Sequence, residues 1–484
     1  MGNHTTYTDI IIIGAGLSGI GAACHLSRKH PNKSYVILES RKELGGTWSL
    51  FKYPGIRSDS DMYTFGYSFK TCDNPKSFAD APSILEYLNE AVDEYKIRNY
   101  IKYNKKAISY NYSSNKKLWS VVAQDNDSGK ETIYTCKFIF SCSGYYNYTR
   151  GYMPEFKGQS DYEGKLIHPQ KWPEKFDYTN KKIVVIGSGA TAVTIVPKLA
   201  SEASHVTMLQ RSPTYIGKWP NRDKVANLIK RIFPKKFSHN LIRFKNILLQ
   251  IIFFNLCRSF PDRMKKNIIK GAKKHLGDFP VDPHFVPNYK PWEQRFCIAP
   301  DGDFFKVIKD RKASIITESI DCFIKNGILL KSGKKIEADI IISATGLNLL
   351  AFGGAEINID SKSFDVAKSF VYKGVMLSNL PNFFIYVGYT NASWTLKVDL
   401  TNEYISRILN YLDKHNYKAL KVNANEDALK PLPLLNLNSN YIYRSANMLP
   451  KQGNEIPWRL YQNYLLDYKL LCIDKIEDKW LKFI

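Results

Sequence analysis

Two sets of small residues carry the first recognisable chemistry in this chain of 484 residues. Gly14, Gly16 and Gly19 are spaced G-x-G-x-x-G, and Glu39 follows Gly14 by 25 positions. Gly187, Gly189 and Ala192 repeat that spacing, and Arg211 follows Gly187 by 24 positions. Glycines so placed let a main chain approach a pyrophosphate, which the free N–H groups and positive dipole of a helix N-terminus then attract. Ser18 sits in the first turn, and Ser188, Ala190 and Thr191 in the second. A carboxylate at Glu39 suits the two free hydroxyls of a ribose and repels a 2′-phosphate. Arg211, with Ser212 beside it, suits a 2′-phosphate. The first set therefore reads as an FAD site and the second as an NADP site.

Such turns work only on the right scaffold. "YTDIIIIGAGLSGIGAACHLSR" predicts a buried Ile-rich strand, a tight turn and an Ala- and Leu-rich helix, and "SYVILES" a second strand ending at Glu39. "KKIVVIGSGATAVTIVPKLA" and "HVTMLQR" predict the same unit again, ending at Arg211. Two further strands, "FIFSCSG" and "ADIIISATG", end in small residues that let the chain pass close to a flat ligand or cross between domains.

Composition narrows the class. Hydrophobic residues at 44 % and charged residues at 24 % are ordinary for a globular enzyme, and the length predicts several domains. The eight cysteines include no C-x-x-C pair and no grouping with His at metal spacing. That argues against a dithiol flavin reductase and a structural zinc, and predicts no metal and reduced thiols in a cytoplasmic protein. The N-terminus shows no charged-then-apolar signal pattern. A net charge of +24 raises a nucleic-acid-binding alternative, but no aromatic-basic RNA motif or helix-turn-helix signature supports it. From Arg222 to Lys274 stand fifteen Lys and Arg against two acids, interleaved with apolar runs such as "ILLQIIFFNL". That run is shorter than the roughly 18 residues of a membrane span. The stretch reads either as a helical subdomain with solvated charge or as a peripheral contact with an anionic membrane.

"GGTWSLFKYPGIRSDSD", Gly45 to Asp61, is poor helix and poor strand. Its Gly45, Gly46, Trp48, Tyr53, Pro54, Gly55 and Asp59 resemble the fingerprint of type I Baeyer–Villiger monooxygenases. "YEGKLIHPQKWP" fits that family's second fingerprint at Gly164, His168, Trp172 and Pro173, with Tyr162 where Phe is usual. "KPWEQRFCIAPDGDFF" resembles the segment carrying its catalytic arginine, at Arg295, with Gln294 where many members have Lys. "CSGYYNY", "QRSPTY", "VGYTNASWTLK" and "LPKQGNEIPWRL" resemble the ethionamide-activating subgroup.

The resemblance implies an α/β fold of two Rossmann-like domains. An FAD domain (1–145 and 340–484) is split by an NADP domain (146–218 and 293–339), with a helical subdomain at 219–292. It implies that NADPH reduces FAD and that the reduced flavin takes up O2 as a C4a-peroxide. A small apolar ketone then becomes an ester or lactone, or a thioether or thioamide is oxygenated at sulfur. Arg295 would be the catalytic cation, oriented by Asp59. Thr47, Trp48, Ser49, Leu50, Asp59 and the main chain of Ala107 would contact FAD, and Asn391, Ser393 and Trp394 the substrate. The rival enzyme reading is a flavin-containing N- or S-monooxygenase without Baeyer–Villiger activity.

Overall fold

The computed structural model describes every residue except 1–4, 73, 75, 425–428, 436–437 and 439. Four successive isoleucines, Ile10 to Ile13, are stable in water only as a strand covered on both faces. They form the inner part of β1 (Thr5–Ile13) and are all buried. The turn after β1 opens into α1 (Leu17–Lys29), and the chain returns as β2 (Tyr35–Leu38), parallel to β1 with Ile13 opposite Leu38. Two one-turn helices, α2 (Thr47–Leu50) and α3 (Met62–Phe65), and the longer α4 (Ala81–Glu94) follow. Asp80 caps α4 by accepting from the Ser83 N–H, with a proline in the first turn, where no intrahelical N–H bond is lost. Then come β3 (Ile101–Lys102), β4 (Lys105–Ser113), β5 (Leu118–Asp125) and β6 (Glu131–Ser141), the last parallel to β1 on its other side.

A second unit begins with β7 (Lys165–Ile167), β8 (Lys182–Ile186), α5 (Ala190–Leu199) and β9 (His205–Gln210). β10 (Ile216–Trp219) leads into three helices, α6 (Lys224–Ile232), α7 (Lys235–Ser259) and α8 (Pro261–Leu276). β11 (Cys297–Pro300) returns beside β10, followed by α9 (Asp303–Lys309) and β12 (Ala313–Thr317). A three-stranded meander, β13 (Ile320–Ile324), β14 (Gly327–Leu330) and β15 (Lys335–Glu337), precedes β16 (Ile340–Ser343). The parallel sheet of this unit runs β12-β9-β8-β16-β7. β16 therefore corrects the expected boundary at 339/340. It lies between β7 and β8, because Ile340 to Ile342 need cover on both faces and find it there.

The chain then returns to the first sheet. β17 (Glu356–Ile359) pairs with β4, and β18 (Lys362–Ser363) forms the edge. β19 (Val371–Tyr372), β20 (Met376–Leu377) and β21 (Phe383–Ile385) follow, β21 parallel to β6. α10 (Trp394–Lys414) packs on α1. The main path of this sheet is β18-β17-β4-β5-β6-β1-β2-β3.

Within 219–292 the helices α6, α7 and α8 occupy Lys224–Ile232, Lys235–Ser259 and Pro261–Leu276. α7 runs well beyond the apolar stretch Ile247–Leu256 to 25 residues. By length and composition alone it is apolar enough to cross a membrane, although no eighteen-residue span was expected.

Candidate active site

One cavity of about 670 Å³ is lined by both nucleotide units. The first contributes Gly14, Gly16, Ser18, Glu39, Thr47, Trp48, Leu50, Asp59 and Ala107; the second contributes Ala190 and Thr191; Arg295 comes from the segment before β11. Glu39 follows β2 directly and is buried at 5 % exposure. One carboxylate oxygen accepts the Ala15 N–H at 2.7 Å and the other the Arg41 N–H at 2.8 Å. The second of these also accepts from the Ser40 hydroxyl at 3.4 Å, and the first keeps a lone pair for a ribose hydroxyl. Burial pushes the Glu39 carboxyl up, and those two N–H bonds pull it back. Ser18 accepts from the Trp394 indole N–H at 2.9 Å, which ties the start of α10 to the first turn of α1.

The 45–61 loop lies across the junction of the two units. A Cβ on Gly46 would come within 3.0 Å of the Gly16 Cα, so the loop touches the phosphate-binding turn through two bare glycines. Gly55 has φ +78°, and a Cβ there would meet both Lys198 and the Thr194 carbonyl at 3.1 Å. The Tyr-Pro-Gly turn thus rests directly on α5. Tyr53 packs into the core of the second unit, where burial pushes its phenol up to about 12 against a hydrogen bond with Thr191. Trp48 packs edge-on against Phe65, ring centroids 5.5 Å apart.

The two aspartates have different work. Asp59 pairs with Arg295, N to O 3.2 Å, across 236 positions of sequence, and both line the cavity. Asp61 turns the other way. It accepts from the Tyr63 and Thr64 N–H groups to cap α3, and from the side-chain amides of Asn246 and Gln250 on α7. Sequence reasoning singled out Asp59 and gave Asp61 no role. Arg41 was also missed: its guanidinium donates to the Ser49 hydroxyl at 2.6 Å and to the Gly46 carbonyl at 3.1 Å, clamping the loop. A cation two residues past the strand-end acid was the available signal. Tyr145, Tyr146 and Tyr148 of "GYYNY" line the cavity as well, with the Tyr148 hydroxyl 3.3 Å from that of Thr47.

The remaining expected contacts lie outside this cavity. Gly19 packs against its own turn, and Ser49 is buried under Arg41. Gly187, Ser188, Gly189, Ala192, Arg211 and Ser212 surround the N-terminus of α5, whose cap Gly189 has nothing facing it within 4 Å. The Ser188 hydroxyl donates to the Ser212 carbonyl at 2.9 Å, holding that turn against the end of β9. Arg211 follows β9 as Glu39 follows β2. It is exposed, and among the described residues it forms no ion pair. Ala192 is fully buried and sets the packing of α5 on its sheet. Of the three expected substrate residues only Trp394 lines the cavity. Asn391 donates to the Gln462 carbonyl at 2.9 Å, and Ser393 is buried. His168 is a linker. Its Nε2 faces the Gly346 carbonyl at 3.0 Å, and its Nδ1 accepts from the Gln170 N–H. The Tyr162 hydroxyl, extra relative to Phe, is satisfied by the Ala338 carbonyl at 3.1 Å.

Residues 11–242 match the family described as pyridine nucleotide-disulphide oxidoreductase. No disulfide joins any two of the eight cysteines among the described residues. The FAD-containing monooxygenase EthA of Mycobacterium tuberculosis (strain ATCC 25618 / H37Rv) is 47 % identical over 481 residues, which is 99 % of this chain and 98 % of that protein. The chain belongs to the EthA-type family of FAD-containing monooxygenases. This monooxygenase is also 44 % identical over 479 residues to the probable FAD-binding monooxygenase AlmA of Acinetobacter baylyi, covering 99 % and 96 % of the two chains. Its fold is that of cyclohexanone monooxygenase in an ε-caprolactone-bound crystal structure, with TM-score 0.77, 20 % identity and coverage of 99 % and 100 %. The structure of OTEMO with FAD and NADP matches at TM-score 0.70 and 21 % identity, covering 87 % and 88 %.

The residues of this monooxygenase fit a flavin dinucleotide. A bare-glycine turn meets a helix N-terminus, a buried carboxylate follows the second strand, and a Trp-bearing loop closes over the same cavity.

Proposed function

We propose that this monooxygenase uses NADPH and O2 to carry out Baeyer–Villiger oxidation of small apolar ketones and to oxygenate thioethers or thioamides at sulfur. One observation supports this reading above others: the Asp59–Arg295 pair lines a cavity that both nucleotide units share. Bound FAD supplies the oxygen-activating redox chemistry, and NADPH the reducing equivalents. Gly14, Gly16 and the start of α1 would hold the flavin pyrophosphate, Glu39 the ribose, and Trp48 a face of the ring system. The start of α5 and Arg211 would hold NADPH through its phosphates. Arg295 places a positive charge where anionic oxygen species must be stabilised, and Asp59 fixes its approach. The 45–61 loop couples the units, because its glycines contact both α1 and α5. The same reading assigns 1–145 and 344–484 to the flavin domain, 146–218 and 293–343 to the NADP domain, and 219–292 to the helical subdomain.

The test is product analysis on flavin-replete enzyme with NADPH, offering a ketone and a thioether separately. Ester or lactone from the ketone supports the proposal. Sulfoxide without any ester would place the enzyme among N- or S-monooxygenases. That second reading draws on the same cavity.

A further inference from the structure

α7 has two faces of different character. His239, Ile242, Arg243, Asn246, Ile247 and Gln250 face the protein. The Arg243 guanidinium is 7 % exposed and pairs with Asp399 at 2.8 Å, while donating to the carbonyls of Tyr63 and Gly66. The opposite face is apolar and open. Phe237, Phe244 and Ile252 on α7, with Leu228 and Ile232 on α6 and Phe260 at the α7–α8 corner, are between 50 and 63 % exposed. Monomeric soluble proteins do not usually leave so many large apolar side chains open on one small subdomain.

Charge accompanies this surface. Its span from Arg222 to Lys274 has an excess of thirteen positive charges, over half of the chain's +24. Both acids in it lie at helix starts, and Asp223 is already paired with Lys245. Arg231, Lys236, Arg263, Lys266, Lys270 and Lys273 are exposed and form no ion pair among the described residues.

We propose that α6, α7 and α8 form an interfacial docking surface for an anionic phospholipid bilayer. Exposed aromatic and aliphatic side chains would sit below the headgroups, and Lys and Arg would meet lipid phosphate. The helix cannot span the bilayer without breaking the Arg243–Asp399 pair and the Asn246 and Gln250 bonds to Asp61, so it lies on the surface. A second copy of the chain is the poorer occupant, because a two-fold interface would press the positive patch against itself. Nucleic acid would match the charge and leave the apolar side chains in water. Docking here would also place the bilayer over the helix whose Ile247 packs on Tyr389, a cavity-lining residue, so apolar substrates dissolved in lipid would lie near the site.

The experiment is flotation of the full-length, flavin-loaded protein with phosphatidylcholine vesicles, with and without phosphatidylglycerol, at low and high salt. Flotation is expected on the anionic vesicles at low salt, falling with salt and absent on the neutral ones. Phe237→Ser with Phe244→Ser, and separately Lys266→Gln with Lys270→Gln and Lys273→Gln, should each lower partitioning by about tenfold or more. Unchanged flavin absorbance and NADPH oxidation will confirm that both variants fold. The proposal is overturned if the parent protein does not float on anionic vesicles at low salt, or if neither variant weakens flotation. It is equally overturned if DNA is bound and vesicles are not, or if vesicles are ignored while the phenylalanine variant turns an oligomer into a monomer by light scattering.

Discussion

Arg211 and Glu39 occupy equivalent positions, each the first residue after the strand that follows the glycine turn and its helix, and they carry opposite charge. Glu39 is buried and already holds two main-chain N–H groups, whereas Arg211 is exposed, so Arg211 can meet a phosphate without losing an existing bond. Arg211→Ala removes a charge-assisted contact to the 2′-phosphate. The ratio of kcat/KM with NADPH to that with NADH should fall roughly ten- to a hundredfold. An unchanged ratio would sink the assignment. Arg295 makes a different demand. Its side chain is 44 % exposed and held by Asp59 at the cavity wall, so Arg295→Ala should leave flavin binding intact. Anaerobic stopped-flow should still show flavin reduction by NADPH, while product analysis shows oxygenated product lost. Ester formed at the parent rate would remove Arg295 from the chemistry.

Among the elements, α7 joins the helical subdomain to the flavin loop. Arg243 on α7 meets Asp399 on α10 and the carbonyls at both ends of α3, and Asp61 binds α7 two residues past Asp59. Arg243→Met leaves the Asp399 carboxylate buried without its cation and should cost about 3–5 kcal/mol. Urea denaturation measures this, and adding Asp399→Asn should recover part of the loss. No recovery would mean that the carbonyl contacts, not the ion pair, dominate. None of this was legible beforehand, because Arg243 and Asp399 stand 156 positions apart and carry no pattern. β1, α1 and β2 were legible because a strand, a turn and a helix are written in adjacent residues. β16 was misassigned for the opposite reason: "DIIIS" announces a buried strand, but strand order depends on pairings with β7 and β8 far upstream. The Asp59–Arg295 pair was readable only through the two motifs that carry its members, since nothing local links them across 236 positions.

At the scale of the whole molecule, four histidines set a stability that depends on pH. His30, His168, His205 and His284 all have pKa values lowered from the usual 6.5, in each case chiefly by burial. Each is bonded in the neutral form. His30 meets the Ser406 hydroxyl, His205 that of Ser314 and His284 that of Thr317, each at 2.8 Å. At His168 the geometry fixes the tautomer: Nδ1 accepts from the Gln170 N–H, so Nε2 carries the proton toward the Gly346 carbonyl. A second proton on Nδ1 would face another donor. A histidine that charges more easily unfolded than folded contributes stability above its unfolded pKa and loses it as pH falls through 6.5 toward the lower folded value. Glu39 has the opposite sign, since its raised pKa favours the folded state as pH drops, but it is one group against these four and His275, whose pKa burial also lowers. Lowered carboxyls such as Asp9, Asp80 and Asp223 lose their contribution only at more acid pH, below 3.8. The thermal midpoint should therefore fall between about pH 7 and about pH 5, before those lowered carboxylates are protonated. Differential scanning calorimetry across that window tests it, and a flat midpoint would mean that these histidines titrate alike in the folded and unfolded chain.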